Sequence, residues 1–155
     1  MADHEPDNLQ FRPALPEDAA ECLIVRGKTR QNPASEDWLR SIGITKESWD
    51  ENIRSGALPG HVCISDRKIV GFCFGQRDTG EIQVIALLPA FEKRGIGREL
   101  LKRTSMELAN LGHDRLFLSC NPDPASRSHG FYRHLGWRPT GNFDEYGDEI
   151  LDIRV

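Results

Sequence analysis

No apolar run in this 155-residue chain approaches the ~20 residues that a membrane-spanning helix requires. A basic excess is missing as well: 20 Lys and Arg stand against 24 Asp and Glu, for a net charge of −4. That balance argues against sequence-independent nucleic-acid binding, while a local basic patch can still hold one anionic ligand. Cysteine is sparse. Cys22, Cys63, Cys73 and Cys120 form no C-x-x-C pair, and although Cys63 and Cys73 can face each other across a hairpin, no disulfide framework is expected. All four read as reduced, partly buried thiols of a cytoplasmic protein. The five histidines make neither H-E-x-x-H nor a Cys/His cluster, so no metal site is expected. The first residues, "MADHEPDNLQ", are acidic and polar, unlike a secretory signal or an Arg-rich transit peptide. Internal repeats and low-complexity segments are absent. What remains is an ordinary globular composition, 38% apolar and 28% charged, at a length that suits one domain over residues 1–155.

The patterning is that of an α/β (α+β) chain. "LQFRPA" reads as a strand ending by Pro13, and "LPEDAAECLIVRGKTR" as a helix with Pro16 in its first turn and Ala19, Ala20, Leu23 and Ile24 on its apolar face. "QNPAS" breaks it, and "TKESWDENIRSG" forms a second helix from Thr45 to about Gly56. "HVCIS" and "KIVGFCFGQ" are strands joined at Asp66-Arg67, and "EIQVIALL" is the third of the run. In "GIGRELLKRTSMELANLG" the residues Leu100, Leu101, Thr104, Leu108 and Leu111 share one stripe, and Gly112 suits the helix stop. "RLFLSC" is apolar enough for a central strand covered on both faces. "ASRSHGFYRHL" is the last helix, and "GWRPTGNF" and "EILDIRV" pair around the acidic turn "DEYGD". The expected order is β-α-α-β-β-β-α-β-α-β-β, with about four helices flanking a mixed, mostly antiparallel sheet.

One stretch asks for more than structure: "LLPAFEKRGIGRELL", Leu87 to Leu101. A strand stops at Pro89, and Lys93 and Arg94 lead into Gly95 and Gly97 as a helix begins, with Arg98 in its first turn. Helix N-termini expose unpaired N–H groups and carry partial positive charge, which attracts phosphate, and glycines let backbone come close to an anion. Cations there oppose the helix dipole by ~0.3–1 kcal/mol each, a conflict that a bound anion relieves. The stretch therefore reads as a diphosphate site. The dinucleotide fingerprint fits less well, because Leu100 takes its third glycine position, and the "GKT" of Gly27–Thr29 lacks the first glycine of a Walker loop, where Cys22 stands.

The chain resembles the GNAT superfamily of acetyl-CoA-dependent N-acetyltransferases. Their Gln/Arg-x-x-Gly-x-Gly/Ala signature appears as "EKRGIG", with Glu92 in place of the first Gln or Arg, and a second signature, Phe-Tyr-x-x-x-Gly-Phe, appears as "FYRHLGW" at Phe131, Tyr132, Gly136 and Trp137. The resemblance covers nearly the whole chain, from "FRPALPEDA" to "LDIRV". It implies that acetyl-CoA lies between "EIQVIALL" and "RLFLSC", held by backbone near Leu87 and Leu88 and by Glu92, Lys93, Arg94, Gly95, Ile96, Gly97 and Arg98. Ala125 stands where the family often has a pantetheine-binding asparagine, so Asn121 or Ser128 is the expected substitute; Arg133 and Lys102 are candidates for the 3′-phosphate, with solvated surface charge the simpler reading.

For chemistry, the resemblance implies direct attack by a primary amine, Tyr132 serving the leaving thiolate and Glu81 taking the ammonium proton, or a water relay in its place. Gln83 shares the face of Glu81 and can only hydrogen-bond. The acceptor cleft is expected near Gln31, Asn32, Trp38 and Trp49, with Asp144, Glu145, Asp148 and Glu149 opposite. Two rivals stay open: a non-catalytic acyl-CoA-binding regulatory module, and a transferase of longer acyl groups using room beside Gly71, Cys73 and Gly75. A homodimer is also left open.

Overall fold

The computed structural model describes residues 8–29 and 34–155. Strand β1 (Leu9–Pro13) leads through a 3-10 turn to α1 (Ala19–Arg26), α2 (Glu36–Ser41) and α3 (Lys46–Ser55). Strands β2 (Gly60–Ser65), β3 (Lys68–Gly75) and β4 (Ile82–Leu87) follow. The chain then alternates through α4 (Ile96–Asn110), β5 (Arg115–Cys120) and α5 (Arg127–His134), and closes with β6 (Arg138–Phe143) and β7 (Glu149–Arg154). The order matches the patterning except for α2, which makes five α-helices among the described residues. Six residues are too few to show a helical period; its local marks are Ser35, whose hydroxyl accepts the Trp38 N–H at 3.1 Å, and the acids Glu36 and Asp37 in its first turn.

Local chemistry explains most boundaries. Thr45 and Ser48 cap α3 reciprocally, at 3.0 and 2.8 Å, and Gly56 ends it with φ 84°. Asp66 and Arg67 both take positive φ, as a two-residue turn between twisted strands requires. Helix α1 departs from expectation. Asp18 accepts from Arg12 at 2.7 and 3.0 Å and from the Leu15 N–H at 2.7 Å, which fixes a 3-10 turn over Pro16–Asp18 and starts the helix at Ala19. Its buried face is Ala19, Cys22, Leu23 and Val25, while Ala20 and Ile24 are exposed.

The strands form two antiparallel sheets, β1-β2-β3-β4 and β5-β7-β6. Among the described residues their one parallel link is a bridge between Glu81 and Phe117, whose N–H donates to the Gly80 carbonyl at 3.2 Å. Helix α4 packs on one face of the first sheet and α1 on the other, so β3 is buried on both faces. One core gathers Leu100 and Leu108 of α4 with Leu116, Leu118 and Leu151; the other sets Trp49 edge-on to Phe72 and Phe74, with ring centroids 5.7 and 5.2 Å away. Leu111 lies past the end of α4 and is exposed. Strand β5 alternates buried residues with exposed or half-buried ones and so is not covered on both faces.

Two expectations for β3 change. A Cβ on Gly71 would stand 2.4 Å from Leu87 Cδ2, and one on Gly75 2.7 Å from Leu108 Cδ1, so this glycine face is filled by neighbouring side chains and offers no acyl pocket. Cys63 faces Gly71, and Cys73 faces His61. All four cysteines are buried free thiols, and burial pushes Cys63 up to about 11 and Cys73 to about 12. No helix among the described residues is long and apolar enough to cross a membrane.

Candidate active site

Strands β4 and β5 run parallel from their shared bridge at Glu81, and the groups that would continue the ladder are left open. The Leu88 N–H donates to the Val70 carbonyl at 2.9 Å. Opposed residues in an antiparallel pair alternate between bonded and non-bonded, so Ala86 and Val84 also point their backbone groups at β3, while Leu87, Ile85 and Gln83 point theirs the other way. On that side lies a cavity of about 750 Å³, walled by Gln83 to Leu87 of β4 and by Ser119, Cys120 and Asn121 at the end of β5. A volume of this order suits a ligand of cofactor size.

Two helices begin at this cavity. Lys93 and Gly95 both take left-handed backbone, φ 65° and 80°, which turns the loop abruptly into α4. No side chain caps α4, whose N-cap is Gly95, and none caps α5, whose N-cap Ser126 donates its hydroxyl to the Asp123 carbonyl at 2.8 Å. The first-turn amides of both helices thus face the cavity without a side-chain cap, and their dipoles make it attractive to an anion. Gly95 has its space open and is required for its backbone conformation; a Cβ on Gly97 would only touch Leu87 and Phe131, at 3.4 and 3.6 Å.

Of the residues singled out from the sequence, Leu87, Glu92, Lys93, Gly95, Ile96 and Gly97 line the cavity. Arg98, Asn121, Ser128 and Tyr132 do so too. Asn121 uses its side-chain oxygen to accept the Asp123 N–H at 2.9 Å. Three others lie off the wall. The Leu88 amide is spent on Val70. The Arg94 guanidinium sits 5.1 Å over the Phe91 ring. Glu81 stands at the parallel bridge, beyond Gln83, which does line the cavity. Arg133 is engaged with Glu149 by two contacts of 2.7 Å, which explains why it is not at the cavity. Lys102 is exposed and away from it.

Tyr132 is buried in α5, edge-on to Phe131 and Trp137 at 5.1 and 6.1 Å. Burial, reinforced by the Cys73 and Cys120 thiols, drives its phenol well above the ordinary value, so it keeps its proton at neutral pH. Glu81, Asp144 and Asp148 behave differently, and of these three only Asp148 lines the cavity. Burial raises Glu81 and Asp144 adds to it, while a hydrogen bond with Gln83 opposes the shift. Asp148, on the cavity wall, is raised by burial and then by Asp144. Asp144 itself caps the hairpin turn, accepting the Tyr146 and Asp148 N–H groups at 2.9 Å each.

The expected acceptor cleft changes more. Trp49 is core, Trp38 is exposed but off the cavity, and Gln31 and Asn32 lie outside the described residues. Sequence reasoning set Thr29 aside with the "GKT" run and missed Arg26, both of which reach the cavity from the end of α1, and it missed Arg127, which opens α5. Each acquires its place only when distant elements pack.

The family model described as the acetyltransferase (GNAT) family matches residues 20–137. A search of curated proteins finds no match. Among solved structures, the chain is similar to the PaiA N-acetyltransferase from Thermoplasma acidophilum in complex with coenzyme A, at 19% identity over 96% of this chain and 99% of that one, with a TM-score of 0.79. It is also similar to yncA from Salmonella typhimurium, solved with its cofactor acetyl-CoA (17% identity, 95% and 94% covered, TM-score 0.71), and to the ribosomal-protein-S18-alanine N-acetyltransferase from Escherichia coli (18%, 95% and 94%, 0.68). At these identities the likeness is one of fold.

Proposed function

The chain belongs to the acetyltransferase (GNAT) family, and from that premise we propose that residues 1–155, as one domain, move an acetyl group from acetyl-CoA to a primary amine in a ternary complex. The observation that carries this reading is the α4 N-terminus, capped by no side chain, opening onto the cavity beside the unpaired edge of β4. Amides of the Gly95–Arg98 turn, with Lys93 at its side, receive the diphosphate; outward backbone groups of Ile85 and Leu87 pair with the pantetheine arm. Asn121 and Ser128 flank that arm from the β5 side. The Leu87 N–H is the nearest candidate to polarise the thioester carbonyl, and a donor set in place before charge develops is often a large catalytic contribution.

The amine nitrogen forms the new C–N bond as the C–S bond breaks. Its proton passes to Glu81, through water because Glu81 stands behind Gln83, or to Asp148 directly; both carboxyls sit above their ordinary range, which suits a base. The leaving thiolate receives a hydrogen bond from Tyr132. The filled face at Gly71 and Gly75 favours acetyl over longer acyl groups.

Calorimetry with coenzyme A, followed by thiol release from acetyl-CoA over a panel of primary amines, tests the reading. Heat of binding and amine-dependent release are expected. Binding without release on any amine would instead make the chain a cofactor-sensing module, and no binding would remove the proposal altogether. The cradle has its own test. Gly95→Val forces a β-branched residue into left-handed backbone, a strain of about 1–2 kcal/mol, and is expected to weaken coenzyme A binding about tenfold. Gly95→Asn, which tolerates that backbone, is expected to bind nearly as well as the native chain. Equal affinities for the two variants would show that the loop geometry is irrelevant.

A further inference from the structure

Glu92 stands first in the E-x-x-G-x-G loop, and its carboxylate lies 2.5 Å from a guanidinium nitrogen of Arg127. The two come from opposite sides of the cavity, the loop before α4 and the first residue of α5, and both line it. The Glu92 side chain is only 14% exposed, so it is no solvated surface charge, whereas Arg127 keeps 45% of its side chain in solvent. Neither placement serves its own element. Arg127 opposes the α5 dipole, and Glu92 brings an anion to the spot where two uncapped helix ends attract one.

Resting on the reading of the cavity as a coenzyme A site, we propose that Arg127 is the side chain that meets the diphosphate, and that Glu92 is an internal competitor for it. With the cavity empty, the carboxylate holds the guanidinium over the helix ends. When the diphosphate enters, Arg127 shifts its charge-assisted hydrogen bonds from carboxylate to phosphate, whose geometry suits its planar fork. Glu92 then stands near the diphosphate as a like charge, and it tempers affinity in a way that assists release of coenzyme A after the acetyl group has left. The loop therefore works without the neutral or cationic residue expected in its first position, because the missing charge arrives from α5.

The proposal fixes opposite signs for the two partners, which a structural brace does not. Coenzyme A affinity is measured by calorimetry on the native chain, Arg127→Ala, Arg127→Lys, Glu92→Gln and the Arg127→Ala/Glu92→Gln double variant, each checked for an unchanged melting temperature. Arg127→Ala is expected to weaken binding about 10–100-fold, the worth of a hydrogen bond to a charged group, and Arg127→Lys to recover only part of that loss, through its charge without the planar fork. Glu92→Gln is expected to tighten binding about three- to tenfold by removing a close like charge, and to do so less at high salt. The double variant should recover much of what Arg127→Ala loses. Weakening by both single substitutions would make the pair a brace and overturn the proposal, as would native affinity in Arg127→Ala. Absence of heat from the native chain would instead overturn the coenzyme A reading on which it stands.

Discussion

Tyr132→Phe is expected to lower kcat by about 10–150-fold, with coenzyme A affinity and melting temperature close to native. Its phenol is buried on the cavity wall and driven above the ordinary value by that burial. A thiol ionises near ~8.5, so complete proton transfer from this phenol to the departing sulfur runs uphill. A hydrogen bond to the developing thiolate does not, and such a bond to a charged acceptor is worth about 1.5–3 kcal/mol. The expected loss therefore falls at or below the lower end of the 10²–10⁴-fold range of general acid catalysis. Phenylalanine keeps the ring against Phe131 and Trp137, so packing survives and the hydroxyl alone is tested. In the native enzyme no alkaline loss assignable to Tyr132 is expected up to about pH 10. Steady-state turnover on the best amine of the panel checks both statements, and an unchanged kcat in the folded variant would remove Tyr132 from the chemistry.

Gly60→Ala is expected to destabilise the fold by about 3 kcal/mol, the upper end of overpacking costs, and to lower the melting temperature by roughly 5–10 °C. A Cβ there would lie 2.2 Å from Phe74 Cδ1 and 2.5 Å from the Cys73 carbonyl oxygen. The ring is fully buried against Trp49 and the carbonyl belongs to a strand buried on both faces, so neither yields cheaply. Gly60 is also the residue whose carbonyl accepts the Ala14 N–H at 2.9 Å, so displacement spreads to the chain leaving β1. Differential scanning calorimetry of native and variant chains measures the shift. A melting temperature within a degree of native would mean that β2 and β3 separate freely at this end, contrary to the packing described.

Gly60 and Gly95 show where sequence reasoning reaches its limit. Gly95 stands beside Lys93 and Arg94 at the start of an amphipathic run, and both its need for positive φ and its anion-binding use can be inferred from neighbours within a few positions. Gly60 has no such context in "ALPGHV"; its reason is a strand that pairs with it from farther along the chain. Helix α3 was legible from Thr45 and Gly56, whereas α2 was too short to declare a period and α1 was turned by a salt bridge from β1 to Asp18. Trp49 and Trp38 looked alike in sequence, and packing made one core and left the other exposed. Arg94, beside the glycines, stood out for phosphate and Arg127 did not, yet folding set Arg94 over Phe91 and Arg127 on the cavity wall against Glu92.

By itself the sequence determined the order of the elements other than α2, the loop with its left-handed glycine and the aromatic signature ahead of Gly136, because backbone dihedrals, caps and amphipathic periods depend on residues a turn or two apart. Only the tertiary structure decided that β4 parts from β5 beyond Glu81, that Arg127 meets Glu92 of the loop before α4, and that Gly60 admits no side chain. Those are matters of distance in space, and such distances exist only after the two cores have closed around the sheets.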